Sequence, residues 1–242
     1  MCIRWMLRGI GGREEMEEVD VDVEGLERCI AGCQTYDGGI ADEPFHEPHA
    51  GYTHCSISAL ALLYRPQEPP PDTPQQIDST DIDLFAKVLD VDSAIRWLVS
   101  RQTSDIYLHN PDDSSGDEED APVKPLESLQ TSERPTYAGF NGRTNKIADT
   151  CYAFWVLGSL TILGRDDLID AECVRSYLLS KTQHRIGGFG KTPGDTPDPY
   201  HSFLGLAALS LLGEEGLKPL DAAVCLSGNA VGWIQGLHKI TR

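Results

Sequence analysis

Three side chains that could share a metal ion occupy matching places in an internal repeat. Asp149 and Cys151 lie ten and twelve residues after Gly139, and His201 lies thirteen residues after Gly188. A carboxylate, a thiolate and an imidazole are ligands that zinc accepts, and three of them leave one coordination position open. The residue types and their spacing therefore predict a zinc centre whose fourth coordination position can bind a water or a substrate.

Glycine-rich turns mark three copies of the repeat, and each turn is followed by an apolar run. The turns are DGGI at 37–40, AGFNG at 138–142 and GGFG at 187–190. The runs that follow them are GYTHCSISALALL, TCYAFWVLGSLTIL and YHSFLGLAALSLL. Runs that are apolar on every side are typical of helices enclosed by the rest of the protein.

A more amphipathic segment precedes each apolar run. Its apolar residues recur at helical spacing, as in Leu26, Cys29, Ile30 and Cys33, in Val91, Ala94, Ile95 and Leu98, and in Val174, Tyr177 and Leu178. Such a stripe indicates a helix with one buried face. The alternation predicts an all-α fold, an α/α toroid with an outer and an inner ring of helices. The starts of the inner helices would then meet around one central cavity.

We expect a single domain over residues 1–242, because a chain of this length can bury one large core. Two segments do not follow the repeat. Residues 66–76 are rich in proline and cannot be helical. Residues 103–136 form an acidic insert, whose centre at 111–120 carries six acidic residues and almost nothing apolar, so we expect it to be disordered.

The composition excludes some classes of function. A net charge of −18 argues against nucleic acid as a partner, since phosphates would be repelled. Seven cysteines without a pairing pattern indicate a reducing, cytoplasmic setting. Five of them are expected to be small core residues: Cys29, Cys33, Cys55, Cys173 and Cys225. The first ten residues are too short and too charged for a secretory leader or a transmembrane segment.

Side chains suited to a phosphate group stand near the predicted metal ligands: His49, Arg143, Lys146, Tyr152 and Lys191. A guanidinium, an ammonium and a phenol suit a phosphate-rich leaving group better than an acyl substrate. Two alternatives remain. A water on the metal would make a hydrolase, and the basic residues at 143 and 146 would in the simplest case belong to a solvated turn.

The inner helices also offer apolar side chains to a substrate, namely Phe154, Trp155, Phe203 and Leu204. A thiol bound to zinc loses its proton and becomes a nucleophile. A zinc thiolate, an anion site and an apolar cavity together predict transfer of a hydrophobic group from a diphosphate to a thiol. Asp198, ten residues after Gly188, is interpreted as a partner that orients His201 rather than as a ligand.

The chain resembles the β subunits of protein prenyltransferases from about Leu26 to Leu226. GFNGRTNKIADTCYAFW is similar to the family segment with the Asp-x-Cys zinc ligands and the diphosphate-binding Arg, Lys and Tyr. These fall on Asp149, Cys151, Arg143, Lys146 and Tyr152. GGFGKTPGDTPDPYH resembles the segment of the third ligand, His201, and DGGIADEPFHEPHAG that of a diphosphate-binding histidine, His49.

Lys191 indicates which member of the family the chain resembles. The farnesyl and Rab-specific enzymes have Asp there, whereas type I geranylgeranyltransferase has Lys, whose ammonium replaces magnesium. The resemblance therefore implies one Zn²⁺ without a magnesium requirement, and transfer from geranylgeranyl diphosphate. It also implies an obligate α subunit and CaaX-terminated substrates, such as small GTPases, with Leu preferred last. Tyr200, bulkier than the Leu expected beside His201, is instead similar to the farnesyl enzyme, and PGDTPDPYHSFLGLAALSLLGEE also resembles the Rab-specific enzyme.

Relatives carry additional helix pairs before the point where this chain begins. We therefore expect a toroid that is incomplete at its N-terminus, and two functions stay open. One is the β subunit of a prenyltransferase, and the other is a non-catalytic helical scaffold that retains zinc without turnover.

Overall fold

Outer and inner helices alternate along the chain. The computed structural model describes residues 1–7, 20–65, 79–106 and 135–240. The helices are α1 (Cys2–Leu7), α2 (Val23–Cys33), α3 (Ala50–Tyr64), α4 (Ser79–Phe85), α5 (Val91–Val99), α6 (Thr150–Ile162), α7 (Ala171–Tyr177), α8 (Pro199–Leu211) and α9 (Gly228–Ile240). Strands β1 (Gln102–Thr103) and β2 (Gly139–Phe140) form one antiparallel ribbon, and β3 (Leu220–Asp221) and β4 (Leu226–Ser227) another. Among the described helices, none is long and apolar enough to cross a membrane.

The three apolar runs form the inner helices α3, α6 and α8. Helix α6 lies between the other two and packs along both of them. Its side chains are buried on nearly every side, with Phe154 and Leu160 fully inaccessible. This burial explains why the run carries no polar face, since a helix without solvent contact needs none.

The striped segments form the outer helices α2, α5 and α7, and a π-helical turn extends α7 over Leu178–Thr182. Their stripes face the core as predicted in α5 and α7. The buried stripe residues there are Val91, Ala94, Ile95, Leu98, Val174, Tyr177 and Leu178. In α2 the stripe is narrower than predicted, because Ile30 and Cys33 are buried whereas Cys29, at its edge, is exposed.

Only part of the cysteine prediction is confirmed. Cys33 and Cys173 are buried and Cys225 is half-buried, as expected of small core residues. Cys29 and Cys55 are exposed, so the expectation of burial was wrong for both. Cys55 follows the exposed Tyr52 by three residues and therefore lies on the same solvent-facing side of α3.

Each repeat closes through the same backbone pairing. Gln34 pairs with Ile40 and Gln183 with Phe189, while Gln102 pairs with Phe140 in the β1–β2 ribbon. The acidic insert therefore lies between the paired residues Gln102 and Phe140. Of residues 103–136, the structure describes 103–106 and 135–136, and Thr103 pairs with Gly139. The proline-rich segment 66–76 lies outside the described residues.

Glycine in the first two turns allows an outer helix to approach closely. A Cβ on Gly39 would lie 2.5 Å from Cε2 of Trp97, a residue of α5. A Cβ on Gly139 would lie 2.7 Å from Cε1 of Tyr177, at the end of α7. These two turns need glycine because a buried aromatic ring of the next outer helix occupies the space.

A buried histidine joins the inner helices α3 and α6. His54 is only 4% exposed, and its ring packs on Phe154 with 5.0 Å between ring centroids. Its Nδ1 lies 3.3 Å from Ser159 Oγ and its Nε2 lies 3.1 Å from Ser58 Oγ. Ser159 donates its own proton to the Trp155 carbonyl, so Nδ1 donates to Ser159 and Nε2 accepts from Ser58. The imidazole is therefore held neutral.

Candidate metal centre

Helix capping places the chemically active side chains at the starts of the inner helices. Asp149 Oδ1 accepts from the Cys151 N–H at 2.9 Å, at the start of α6. Asp198 Oδ1 accepts from the His201 N–H at 2.9 Å, at the start of α8. His49 caps α3 in the same way, since its Nδ1 accepts from the Gly51 N–H at 3.0 Å. Because capping fixes these rotamers, the repeat determines where each group lies.

Backbone hydrogen bonds join each helix start to the loop of the next repeat. The N–H of Ala50 donates to the Gly142 carbonyl, and that of Thr150 donates to the Lys191 carbonyl, both at 2.9 Å. These bonds use amides at a helix start that have no partner within their own helix. They bring the glycine loop of one repeat against the capped start of the preceding inner helix.

The structure brings Asp149, Cys151 and His201 together. One ligand atom from each lies within 4.8 Å of the others, and His201 Nε2 is 3.4 Å from Asp149 Oδ1. Ligand atoms of a tetrahedral zinc site lie about 3.2–3.8 Å apart, so the distance between His201 and Asp149 already fits. Small side-chain rotations would bring all three ligand atoms into this range. Asp149 and Cys151 are each 5% exposed, which favours a closed, buried site. The three donors therefore fit zinc.

Asp198 orients His201, as predicted. Its Oδ2 lies 2.5 Å from His201 Nδ1, and Asp198 is outside the group of three ligand atoms. Hydrogen bonds from the backbone and the ring of His201 lower the pKa of Asp198, so it stays ionised. The proton of the neutral imidazole is then held on Nδ1, and Nε2 is left as the atom that faces the site.

Burial and the neighbouring carboxylate make Cys151 a poor thiolate on its own. Burial raises the pKa of the thiol, and the Asp149 charge raises it further. A divalent cation would reverse both effects, because it would be the largest charge in the site and would favour the ionised sulfur. A thiol buried beside a buried carboxylate is ionised readily only when a cation is bound, as in a metal centre.

Tyr200 also lies at this site, although no spacing in the sequence predicted a place for it in the metal centre. Its phenol lies near Cys151 and acts to lower the pKa of that thiol, and its oxygen accepts from Trp155 Nε1 at 3.4 Å. The sequence signal was present, since Tyr200 directly precedes the predicted ligand His201. Its contact with Cys151 depends on the packing of α8 against α6, which a spacing argument does not give.

The predicted anion-binding residues surround the same helix starts. Lys191 Nζ lies 4.0 Å from Asp149 Oδ2 and remains 61% exposed. Arg143 pairs with Glu47 at 2.9 Å, with both side chains about half exposed. Lys146 is exposed on the same loop as Arg143. These cations are therefore accessible to an anionic ligand, and one of them is already next to a predicted metal ligand.

His49 and Tyr152 form a directed pair of hydrogen-bond donors. His49 Nε2 lies 3.0 Å from the Tyr152 hydroxyl. Because Nδ1 accepts from the Gly51 backbone, the proton of the neutral ring is on Nε2 and is donated to Tyr152. Burial and the Arg143 charge lower the pKa of His49, and burial raises the pKa of Tyr152 to about 12. The Tyr152 proton is thus retained and free to point at an anion.

Two of the four predicted lining residues are not at the surface. Phe154 is fully buried and Leu204 is 3% exposed, because both lie where neighbouring inner helices pack. Phe203 is 53% exposed and Trp155 is partly buried, so these two can contact a ligand. The sequence did not separate the two groups, since every side of these helices is apolar.

Comparisons with known proteins place the chain in one family. The prenyltransferase alpha-alpha toroid domain matches residues 1–226. The β subunit of Arabidopsis thaliana geranylgeranyl transferase type-1 is 35% identical over 200 residues, which are 83% of this chain and 42% of that relative. The corresponding Dictyostelium discoideum subunit is 30% identical over 210 residues, 86% of this chain and 45% of the relative.

A solved structure supports the same conclusion. Candida albicans protein geranylgeranyltransferase-I, complexed with GGPP, matches with a TM-score of 0.65 and 30% identity. The match covers 93% of this chain and 54% of that chain. The chain therefore spans about half the length of the relatives it matches. The predicted toroid and the predicted family are both confirmed: this chain belongs to the prenyltransferase alpha-alpha toroid family.

Proposed function

We propose that the chain acts as the β subunit of a type I protein geranylgeranyltransferase. It would transfer a geranylgeranyl group from geranylgeranyl diphosphate to the cysteine of a C-terminal CaaX sequence, in a cytoplasmic heterodimer with an α subunit. The observation that carries the proposal is the meeting of Asp149, Cys151 and His201 beside exposed cations. The names of the similar type-1 subunits support the choice of lipid.

Zinc, when bound by these three residues, would supply a fourth position where the substrate cysteine is held as a thiolate. The protein residues do the rest of the positioning. Asp198 keeps His201 Nε2 directed into the site. Asp149 and Cys151 are buried, so water would be kept away from the substrate thiolate beside them. A less hydrated thiolate is more nucleophilic.

The reaction forms a carbon–sulfur bond and breaks the carbon–oxygen bond to the diphosphate. The cysteine proton is released when the thiolate forms, and the diphosphate leaves with the bonding electrons. Tyr152, whose hydroxyl accepts from His49 Nε2, would donate a hydrogen bond to this leaving group, while Arg143, Lys146 and Lys191 would offset its charge. Such groups act most strongly where charge grows in the transition state.

We expect Gly142→Ala to weaken binding of inorganic pyrophosphate about tenfold, since a lost charged hydrogen bond has roughly this effect. A Cβ at position 142 would lie 2.2 Å from Tyr152 Cζ and would push the phenol away from His49. Isothermal titration of the zinc-loaded heterodimer measures the affinity. Gly32→Ala is the control, because nothing lies within 4 Å of its Cβ position. An unchanged affinity in Gly142→Ala would contradict the role of the His49–Tyr152 pair.

The choice of lipid can be tested together with the metal requirement. Because the Lys191 ammonium stands near the site, we expect full transfer to a CaaL peptide without magnesium and a preference for geranylgeranyl over farnesyl diphosphate. Lys191→Ala should make the rate depend on magnesium, whereas Lys218→Ala, an exposed lysine elsewhere, should not. Farnesyl preference with strong magnesium dependence in the unmodified protein would instead indicate a farnesyltransferase, which Tyr200 favours, or a Rab-type enzyme.

A non-catalytic scaffold is the second candidate function. The clustered donors Asp149, Cys151 and His201 could hold zinc whether or not transfer follows, so this function is compatible with the site. Such a scaffold would bind zinc without turnover. Expression with an α subunit, followed by assays of zinc content and prenyl transfer, separates the two: zinc without transfer supports the scaffold, and transfer supports the enzyme.

A further inference from the structure

Arg101 is a buried cation beneath the loop 141–146 that carries Arg143 and Lys146. The residue is only 7% exposed, and its guanidinium stacks on the Trp97 ring with 4.8 Å between Cζ and the ring centroid. Within the described part of the chain, Arg101 forms no ion pair, and its Nε has no hydrogen-bond partner. The charges of Asp37 and Glu47 act on this guanidinium only from beyond ion-pair distance. A buried guanidinium without a direct carboxylate partner is costly, so a role beyond packing is expected.

The contacts of Arg101 fix both the base and the middle of this loop. Its Nη1 donates to Thr144 Oγ1 at 3.2 Å, and its carbonyl accepts from the Asn141 N–H at 3.0 Å. Asn141 is itself buried, and its Nδ2 donates to the Lys146 carbonyl at 2.9 Å. A continuous series of hydrogen bonds therefore runs from Arg101 through Asn141 to Lys146. No hydrogen bond of Arg101 reaches the described residues Asp149, Cys151 and His201.

A rigid guanidinium suits this task. Its planar fork donates in fixed directions, so Nη1 can hold Thr144 while Nη2 donates to Ser100 Oγ at 3.1 Å. The Trp97 ring, packed against Gly39, prevents the guanidinium from turning away. Elsewhere the loop is held by the Ala50 N–H, which donates to the Gly142 carbonyl, and by the half-exposed ion pair of Arg143 with Glu47, which contributes little.

We infer that Arg101 is a positioning residue for the anion site: it holds the loop 141–146 so that Arg143 and Lys146 face a diphosphate. The inference rests on the proposed function, in that the anion is the diphosphate of that reaction. Arg101 itself would not touch the ligand. It lowers the cost of ordering the loop when the ligand binds, which raises affinity without a new contact.

Trypsin reports on the loop independently of any ligand, since it cleaves after Arg143 and Lys146. In the zinc-loaded heterodimer we expect Arg101→Met to speed cleavage at these two bonds about tenfold, as for the loss of one or two buried hydrogen bonds. Thr144→Val should act in the same direction with a smaller effect. Arg96→Met is the control, because this arginine is exposed on α5 and donates to Ser93 Oγ rather than to the loop.

Binding of inorganic pyrophosphate tests the link to function. We expect Arg101→Met and Arg101→Lys to weaken it about tenfold, since lysine keeps the charge but loses the fork. Zinc content and the KM for a CaaX peptide should stay as in the unmodified protein. Unchanged cleavage and unchanged pyrophosphate affinity would overturn the inference, as would an equal loss of zinc, which indicates general unfolding. Faster cleavage in a protein that never binds pyrophosphate would keep the positioning role of Arg101 but overturn the proposed function.

Discussion

Cys151→Ala is expected to abolish zinc binding and prenyl transfer together. The substitution removes the only sulfur among the three clustered donors, and two remaining ligands hold zinc poorly. If the proposed function is right, transfer to a CaaL peptide should fall at least about a thousandfold, because the metal contributes several kcal/mol to the transition state. Zinc per heterodimer by atomic emission and transfer of a labelled lipid measure the two effects.

Cys33→Ala provides a matched control for that experiment. Cys33 is 6% exposed and Cys151 is 5% exposed, so both substitutions remove a buried sulfur of similar accessibility. Only Cys151 lies in the ligand group. The control should keep its zinc and most of its activity. A Cys151→Ala protein with one full equivalent of zinc would show that the ligand assignment is wrong.

His54→Gln is expected to remove a large part of the acid sensitivity of the fold. Burial lowers the pKa of His54 from 6.5 to about 4 in the folded protein. The unfolded chain therefore takes up a proton below pH 6.5, whereas the folded one stays neutral until about pH 4. Stability from this group is complete above pH 6.5 and is lost as the pH falls to 4, by about 3 kcal/mol.

Urea unfolding at pH 7 and at pH 4 measures this effect. The free energy of unfolding of the unmodified protein should fall by about 3 kcal/mol more than that of His54→Gln, and other titrating groups cancel in the comparison. Glutamine can still donate and accept between Ser58 and Ser159. His184→Gln, in a partly exposed turn, should keep the acid sensitivity of the unmodified protein. Equal pH dependence in all three proteins would refute the buried neutral state of His54.

The repeat pattern was sufficient to predict the three inner helices, the three outer helices and the three clustered donors, whereas α4 and α9 were not predicted from it. Equal spacing from Gly139 and Gly188 gives Asp149 and Asp198 the same capping position, and the residues just after them then face the same centre. The argument worked because a helix cap is a local structure, fixed by a few neighbouring residues. Local structure of this kind can be read from a single sequence.

Side-chain contacts between repeats could not be predicted. The contact of Tyr200 with Cys151 depends on the packing of α8 on α6, and the place of Arg101 under its loop depends on how the second repeat closes. The exposure of Cys55 and the burial of Phe154 follow from which side of an apolar helix meets a neighbour. Hydrophobic periodicity gives no direction when every side of a helix is apolar.

The β1–β2 ribbon has a consequence for how the architecture tolerates extra sequence. Gln34 and Ile40 are six positions apart, whereas Gln102 and Phe140 are 38 apart, yet both pairs meet in the same way. By loop-closure entropy alone, lengthening a connection this much costs only about 2 kcal/mol, since the cost grows with the logarithm of length. The connection between Thr103 and Gly139 is therefore a suitable place for an insertion. A fluorescent protein could replace the native segment there, and the β1–β2 pairing would still form.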